Sequence, residues 1–434
     1  MLDIKKIKSK VDKFDVISVL KKINTVSFEN NKLKTIDYNE VNGFGLRVIN
    51  NNKIGFASSS DISAVDDTVS SAVDNAVFGE KSFFEPASDD FSLPELNVFS
   101  NSLSKLTSRD LLDTANSSLS RISKKITDAF INVEIEKVEN ERNFFNSYDL
   151  GFSERKTLNS FSVSLFKAEN NNFLEIYDYV TDTDIIRNDL IEKIENNILF
   201  LYENSKQSVN VKTDYYPVYF TPKAFKYIVS FLLESFNGKL IQKKISLFSD
   251  KIGVKFFKKD FSIYDDPFLL KGTHSIGFDG DGIKPEKLNL INKGVIESYV
   301  LDLQTAGKLN VQGNGHAGRT SNSLPAPAFT NVVFLYDSVA SETDIIESID
   351  KGIIIDQLLG AGQSNIIGGE FSANIDLGFY VENGKITGRI KDAMVSGNLF
   401  EFLNNIVKVS DNVRTYGHIT SPGVLIDRMS IAGK

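Results

Sequence analysis

Apolar residues recur three and four positions apart at the start of the chain, at Ile4, Ile7, Val11, Phe14, Ile17 and Leu20. That spacing predicts one amphipathic helix over residues 3–23. The period then shortens. Val26 and Phe28 alternate with polar neighbours, Asn30-Asn31 marks a turn, and "GFGLRVI", "NNNK" and "IGFAS" read as strand, turn and strand. After Asp61, Val65, Val69, Ala72, Val73 and Ala76 return to helical spacing. Residues 80–105 hold two prolines and no clear period, which predicts a loop. Thr107 or Ser108 caps a helix to about residue 124. Alternating stretches then predict strands up to "DYVT", and "DIIRNDLIEKIENNILFLYENSK" predicts a helix.

The second half reads differently. "YYPVYFTP" (215–222) predicts a strand whose last proline starts a helix, with Gly238 as that helix's C-cap. Beyond it, strand and turn signals dominate, "ENGK" being a strong hairpin signal, with short helices expected at 341–350 and 397–407. The expected fold class is α+β with two domains. Residues 1–210 form a mixed α/β domain. Residues 211–434 form a mostly antiparallel β domain, barrel- or sandwich-like, with a few helices.

Composition narrows the chemistry. The chain has no cysteine, which excludes disulfides, thiolate metal sites and a cysteine nucleophile. It has three histidines, His274, His316 and His418, so any zinc site draws on these or on carboxylates. A formal net charge of −8 argues against direct nucleic-acid binding. The N-terminus has no apolar leader pattern, and no run approaches the ~18 apolar residues of a membrane span. A cytoplasmic protein that does not bind membranes is expected.

Three stretches carry candidate chemistry. The helix at 221–238 turns Phe225, Ile228, Val229, Leu232, Leu233 and Phe236 inward, with Glu234 beside them. A zinc hydrolase needs two histidines on such a helix and an acid beside the first, and this helix has no histidine. In "FDGDGIKPEK" (278–287), Asp279 and Asp281 are candidates for a hard cation, but Glu286 does not stand where a calcium loop needs its bidentate acid. "QGNGHAGRTSN" (312–322) is the most unusual stretch. Its glycines let backbone approach a ligand, His316 can move a proton, and Arg319 can grip a carboxylate. His316, Arg319 and Asn314 are therefore candidate peptide or channel contacts. The glycine-rich "LLGAGQSNIIGGEFS" (358–372) lacks the Lys-Ser/Thr of a phosphate loop.

Taken in order, "VNGFGLRVI…IGFAS", "DDP", "GFDGDGIKPEKLNLINKGVIESYVLD", "GNGHAGR", "GAGQSNIIGGEFS…GFYVENGKI" and "SGNLFEFLNNIV…SP…IAGK" resemble the TldD/PmbA family, also described as modulators of DNA gyrase and as peptidases. The resemblance covers nearly the whole chain and is closest to the PmbA (TldE) branch. It implies a subunit that pairs with a TldD-type chain in a cytosolic metalloprotease acting on unfolded peptides. In that family the TldD chain carries His-Glu-x-x-x-His on a helix after a strand and a proline, with a distant cysteine completing the metal site. Aligned on Leu232, Leu233 and Gly238, the first histidine falls at Glu234, the acid at Ser235 and the second histidine at Lys239. The resemblance thus implies no metal and no catalytic residue in this chain, with zinc in the partner. Two other readings stay open: a self-sufficient homodimeric metallopeptidase with a His/carboxylate site, and a non-enzymatic regulator of another protein.

Overall fold

The computed structural model describes residues 2–169, 172–258, 261–360, 365 and 368–433. Much of the glycine-rich 358–372 stretch lies outside them. Two sheets organise the chain. The first has six strands in the order β3-β2-β1-β4-β5-β6: β1 Phe14–Glu29, β2 Lys32–Asn50, β3 Lys53–Ser59, β4 Phe130–Asn146, β5 Gly151–Glu169 and β6 Asn172–Asp182. All its pairings are antiparallel. Asn30-Asn31 and Asn51-Asn52 make its first two hairpin turns, all four at positive φ, a conformation that asparagine tolerates.

The single helix expected over 3–23 is not present. Only α1, Ile4–Lys8, is helical, capped by the Asp3 side chain. The chain then enters β1, because backbone pairing with β2 on one side and β4 on the other outweighs the helical spacing. Val16, Ile17 and Val19, β-branched residues that suit a pleated surface, favour the same outcome. Three further first-half helices follow the predicted pattern, α2 Val65–Ala76, α4 Ser108–Ser123 and α5 Asn188–Asn204, while the short α3, Asn101–Ser104, capped by the Ser100 side chain, lies in the stretch expected to be loop. Thr107 caps α4 in a reciprocal box with Asp110.

The second sheet has twelve strands between Ser208 and Ala432. Five of them close into a ring. Asp214–Phe220 pairs with Lys351–Leu359 and Ile419–Ala432, Lys351–Leu359 with Glu370–Glu382, Glu370–Glu382 with Met394–Asn398, and Met394–Asn398 with Ile419–Ala432. The fold is therefore mixed α and β, strand-rich, with a barrel in its second half. Helix α6, Pro222–Glu234, packs on this sheet through Phe225, Ile228, Val229, Leu232 and Leu233. A second apolar layer joins the two halves. Leu111, Ala115 and Ile122 of α4 and Ile191, Ile194 and Ile198 of α5 share one core with Val133 and Phe161 of the first sheet and Leu377 and Phe379 of the second. No helix among the described residues is long and apolar enough to cross a membrane.

Candidate functional site

Two places bear on chemistry: the end of α6, and the cleft between the first sheet and the loops of the second half. Thr221 caps α6, its hydroxyl accepting the Ala224 N–H and donating to Asp356, and Pro222 opens the helix. The helix stops at Glu234, with Ser235 as its cap, four residues earlier than expected. Asn237 caps a new short helix, α7, Gly238–Gln242, so Gly238 begins a helix instead of ending one. Its value lies in close approach. A Cβ there would lie 2.6 Å from Leu301 Cδ2 and 2.7 Å from the Val300 carbonyl oxygen. The Gly238 N–H donates to Val300 O at 2.9 Å, and the Val300 N–H donates to Phe236 O at 3.0 Å, clamping the corner.

Glu234, Ser235 and Lys239, the three positions that the resemblance aligns with the metal motif, are distributed around this corner. Ser235 is buried, and its carbonyl accepts from the Ser246 hydroxyl at 2.6 Å. Glu234 and Lys239 are both exposed. Lys239 lies in the field of Glu80, whose carboxyl, though partly desolvated, is held low by Lys308 and Gln304. Of the three side chains, only that of Glu234 is an ordinary zinc donor. Serine is a poor substitute for a carboxylate base, and a lysine ammonium has no lone pair to give. Among the described residues, no group of three or more His, Cys, Asp or Glu is placed to hold a metal ion.

The loop candidates are built into the segments that pack against the first sheet. The Asn314 amide donates to Tyr299 O at 2.7 Å and accepts from the Leu301 N–H at 3.3 Å. The His316 side chain is fully buried, with Nδ1 on Asn314 O at 3.0 Å and Nε2 3.4 Å from Asp265. Burial opposes protonation of this imidazole, but Asp265 outweighs it and the pKa is raised. Asp279 accepts N–H bonds from Asp281, Ile283 and Ala317, at 2.9, 2.8 and 3.0 Å. Gly282, at φ +77°, lets this turn pack on the Phe144 ring.

Arg319 and Asp281 belong to a buried cluster that reasoning from the sequence did not find. Asp15 on β1 faces Arg47 on β2 in register. Arg47 Nε donates to Asp15 at 2.9 Å, and its Nη1 lies 2.7 Å from Asp281. Arg319 pairs with the other Asp15 oxygen and donates to Gly45 O at 3.0 Å. Asp281 also accepts from the Leu303 N–H at 2.8 Å. None of these four side chains is more than 3% exposed. Two guanidinium groups thus meet two carboxylates, and the cluster fastens the loops of the second half to the first sheet. Burial alone would lower the Arg47 pKa, but Asp15 and Asp281 raise it.

Beside this cluster lies a cleft of about 300 Å³. Lys21, Asn140, Arg142 and Lys156 of the first sheet form one side, and the segments around His274 and His316 form the other. His418 packs edge-on against His274, with ring centroids 5.8 Å apart.

Comparison with known proteins agrees with this architecture. The family model "PmbA/TldA metallopeptidase C-terminal domain" matches residues 213–433, and "PmbA/TldA metallopeptidase domain 1" matches 15–76. Metalloprotease PmbA of Escherichia coli O157:H7 is 25% identical over 421 residues, covering 94% of this chain and 90% of that protein. A metalloprotease TldD homolog of Buchnera aphidicola is 30% identical over 179 residues, 41% of this chain and 37% of that one. The crystal structure of TldE from Thermococcus kodakarensis superposes with a TM-score of 0.90 at 20% identity, over 99% of each chain.

Proposed function

Because this chain belongs to the PmbA/TldA metallopeptidase family, we propose that it is the PmbA/TldE-type subunit of a two-chain cytoplasmic peptidase. In this reading it holds no metal. A TldD-type partner supplies the zinc and the hydrolytic groups, and the pair acts on unfolded or extended peptides. The donor set at the α6–α7 corner carries the proposal. Zinc bound by this corner would meet one exposed carboxylate, a buried serine and an ammonium. Lys239 would repel the ion, and Ser235 could not take a proton from its water. The clamp formed by Gly238 and Val300 fixes the corner's backbone independently of these side chains, which supports a shape kept for assembly.

The test is reconstitution. The purified chain, a TldD-type chain and their mixture are each given an unfolded peptide substrate. Cleavage that needs the mixture and is lost with a chelator is expected. Chelator-sensitive cleavage by this chain alone would overturn the proposal.

A further inference from the structure

The cleft between the first sheet and the loops of the second half has an unbalanced charge. Arg47 and Arg319 are balanced by Asp15 and Asp281, Arg142 pairs with Glu154 at 2.7 Å, and His316 faces Asp265. Lys156 and Lys21 remain. Lys156 Nζ donates to two backbone carbonyls, Thr273 O at 3.2 Å and Ser275 O at 2.5 Å, and neither lysine forms an ion pair among the described residues. Among the described residues, no aspartate or glutamate lines the cleft.

Strand register sets these groups in a row. Lys21 of β1 stands opposite Asn140 of β4, which stands opposite Lys156 of β5. At about 4.8 Å per strand, the two lysine backbones are about 10 Å apart, with the asparagine between them. Four residues lining the same cleft carry buried polar atoms that lack a hydrogen-bond partner among the described residues: Asn140 Oδ1, Arg142 Nε, Arg319 Nε and His316 Nε2, the last facing Asp265 at 3.4 Å. Buried polar groups are rarely left unmade, and two orphan N–H donors beside two unpaired ammonium groups fit an oxyanion. The orphan acceptor on Asn140 fits a peptide N–H next to it.

We infer that this cleft binds a peptide through its C-terminal carboxylate, with Lys156 and Lys21 as the charged contacts and Asn140 taking a backbone N–H. The inference rests on the reading of the chain as a peptide-handling subunit and adds a substrate preference to it. Burial, which holds Lys156 down to about 8, gives a bound anion further leverage, since its charge would favour the protonated lysine.

The test is isothermal titration of the purified full chain, without a partner, using a short unstructured peptide lacking acidic side chains and the same peptide as its C-terminal amide. The free acid should bind about tenfold more tightly than the amide. Lys156→Gln and the exposed Lys21→Gln should each narrow that gap, and Lys156→Arg should keep it. Displacement of the free acid by inorganic phosphate would identify a general oxyanion site, and resistance to it would identify a carboxylate site; either supports the inference. Equal binding of acid and amide, no binding of either, or a gap that survives both glutamine variants would overturn it. No proteolysis enters the titration, so failure of the two-chain reading and failure of this inference are seen separately.

Discussion

The α6–α7 corner and the buried cluster around Arg47 use charge in opposite ways. At the corner, Glu234 and Lys239 sit in water, and backbone hydrogen bonds and close packing hold the shape. At the cluster, four ions are taken out of water, and their mutual pairing joins the loops of the second half to the first sheet. Side chains at the first place can change without loosening the fold. At the second, each ion is the condition for burying the next. A corner of the first kind can lose its chemistry and keep its form.

The largest effect should come from breaking the cluster. Arg47→Met leaves Asp281 with one backbone N–H and Asp15 with a single guanidinium, and should cost about 3–5 kcal/mol in denaturant unfolding. A loss below about 1 kcal/mol would mean that the cluster does not fasten these loops to the first sheet. Next is the corner's packing. Gly238→Ala drives a methyl into Leu301 and the Val300 carbonyl and should cost about 1–3 kcal/mol. By contrast, Glu234→Ala and Lys239→Ala should each stay within about 0.5 kcal/mol of the parent. A large loss from either would show that these side chains do support the corner.

A smaller effect should appear with pH. Partial desolvation, then His418 and Lys156, push the imidazole of the surface-exposed His274 down to about 4, and its exposure keeps the effect on stability modest. The unfolded chain titrates this group near the ordinary value of about 6.5. As pH falls through that window, the unfolded chain takes up a proton that the folded chain refuses, so stability present above pH ~6.5 is lost toward pH ~4. His274→Gln should flatten the fall in urea midpoint between pH 7 and pH 5. An unchanged slope would place the acid sensitivity elsewhere.

Much of the architecture was legible where local signals act alone: the Asn-Asn turns, the Thr107 box, the proline start of α6 and the Asn-Gly hairpin turn at 383–384. The first strand was misread because Ile4 to Leu20 satisfies a helical spacing while its hydrogen bonds go to neighbouring strands, one of them more than a hundred residues away. The site was only partly legible. The identities at 234, 235 and 239 could be read off the sequence, but not their exposure. Asp15 and Arg319 meet across 304 positions, and the row of Lys21, Asn140 and Lys156 depends on the register of three strands. The available hint was a charged residue inside each of two apolar runs, Asp15 in "FDVISV" and Arg47 in "GLRVI".

The central claim is that this chain retains the shape of a metallopeptidase corner without its metal. The most direct measurement is the zinc content of the purified chain alone, after dialysis against trace zinc. A value near zero per chain is predicted. A value near one, persisting after Glu234→Ala or lost with it, would contradict the account and assign this chain a metal site of its own.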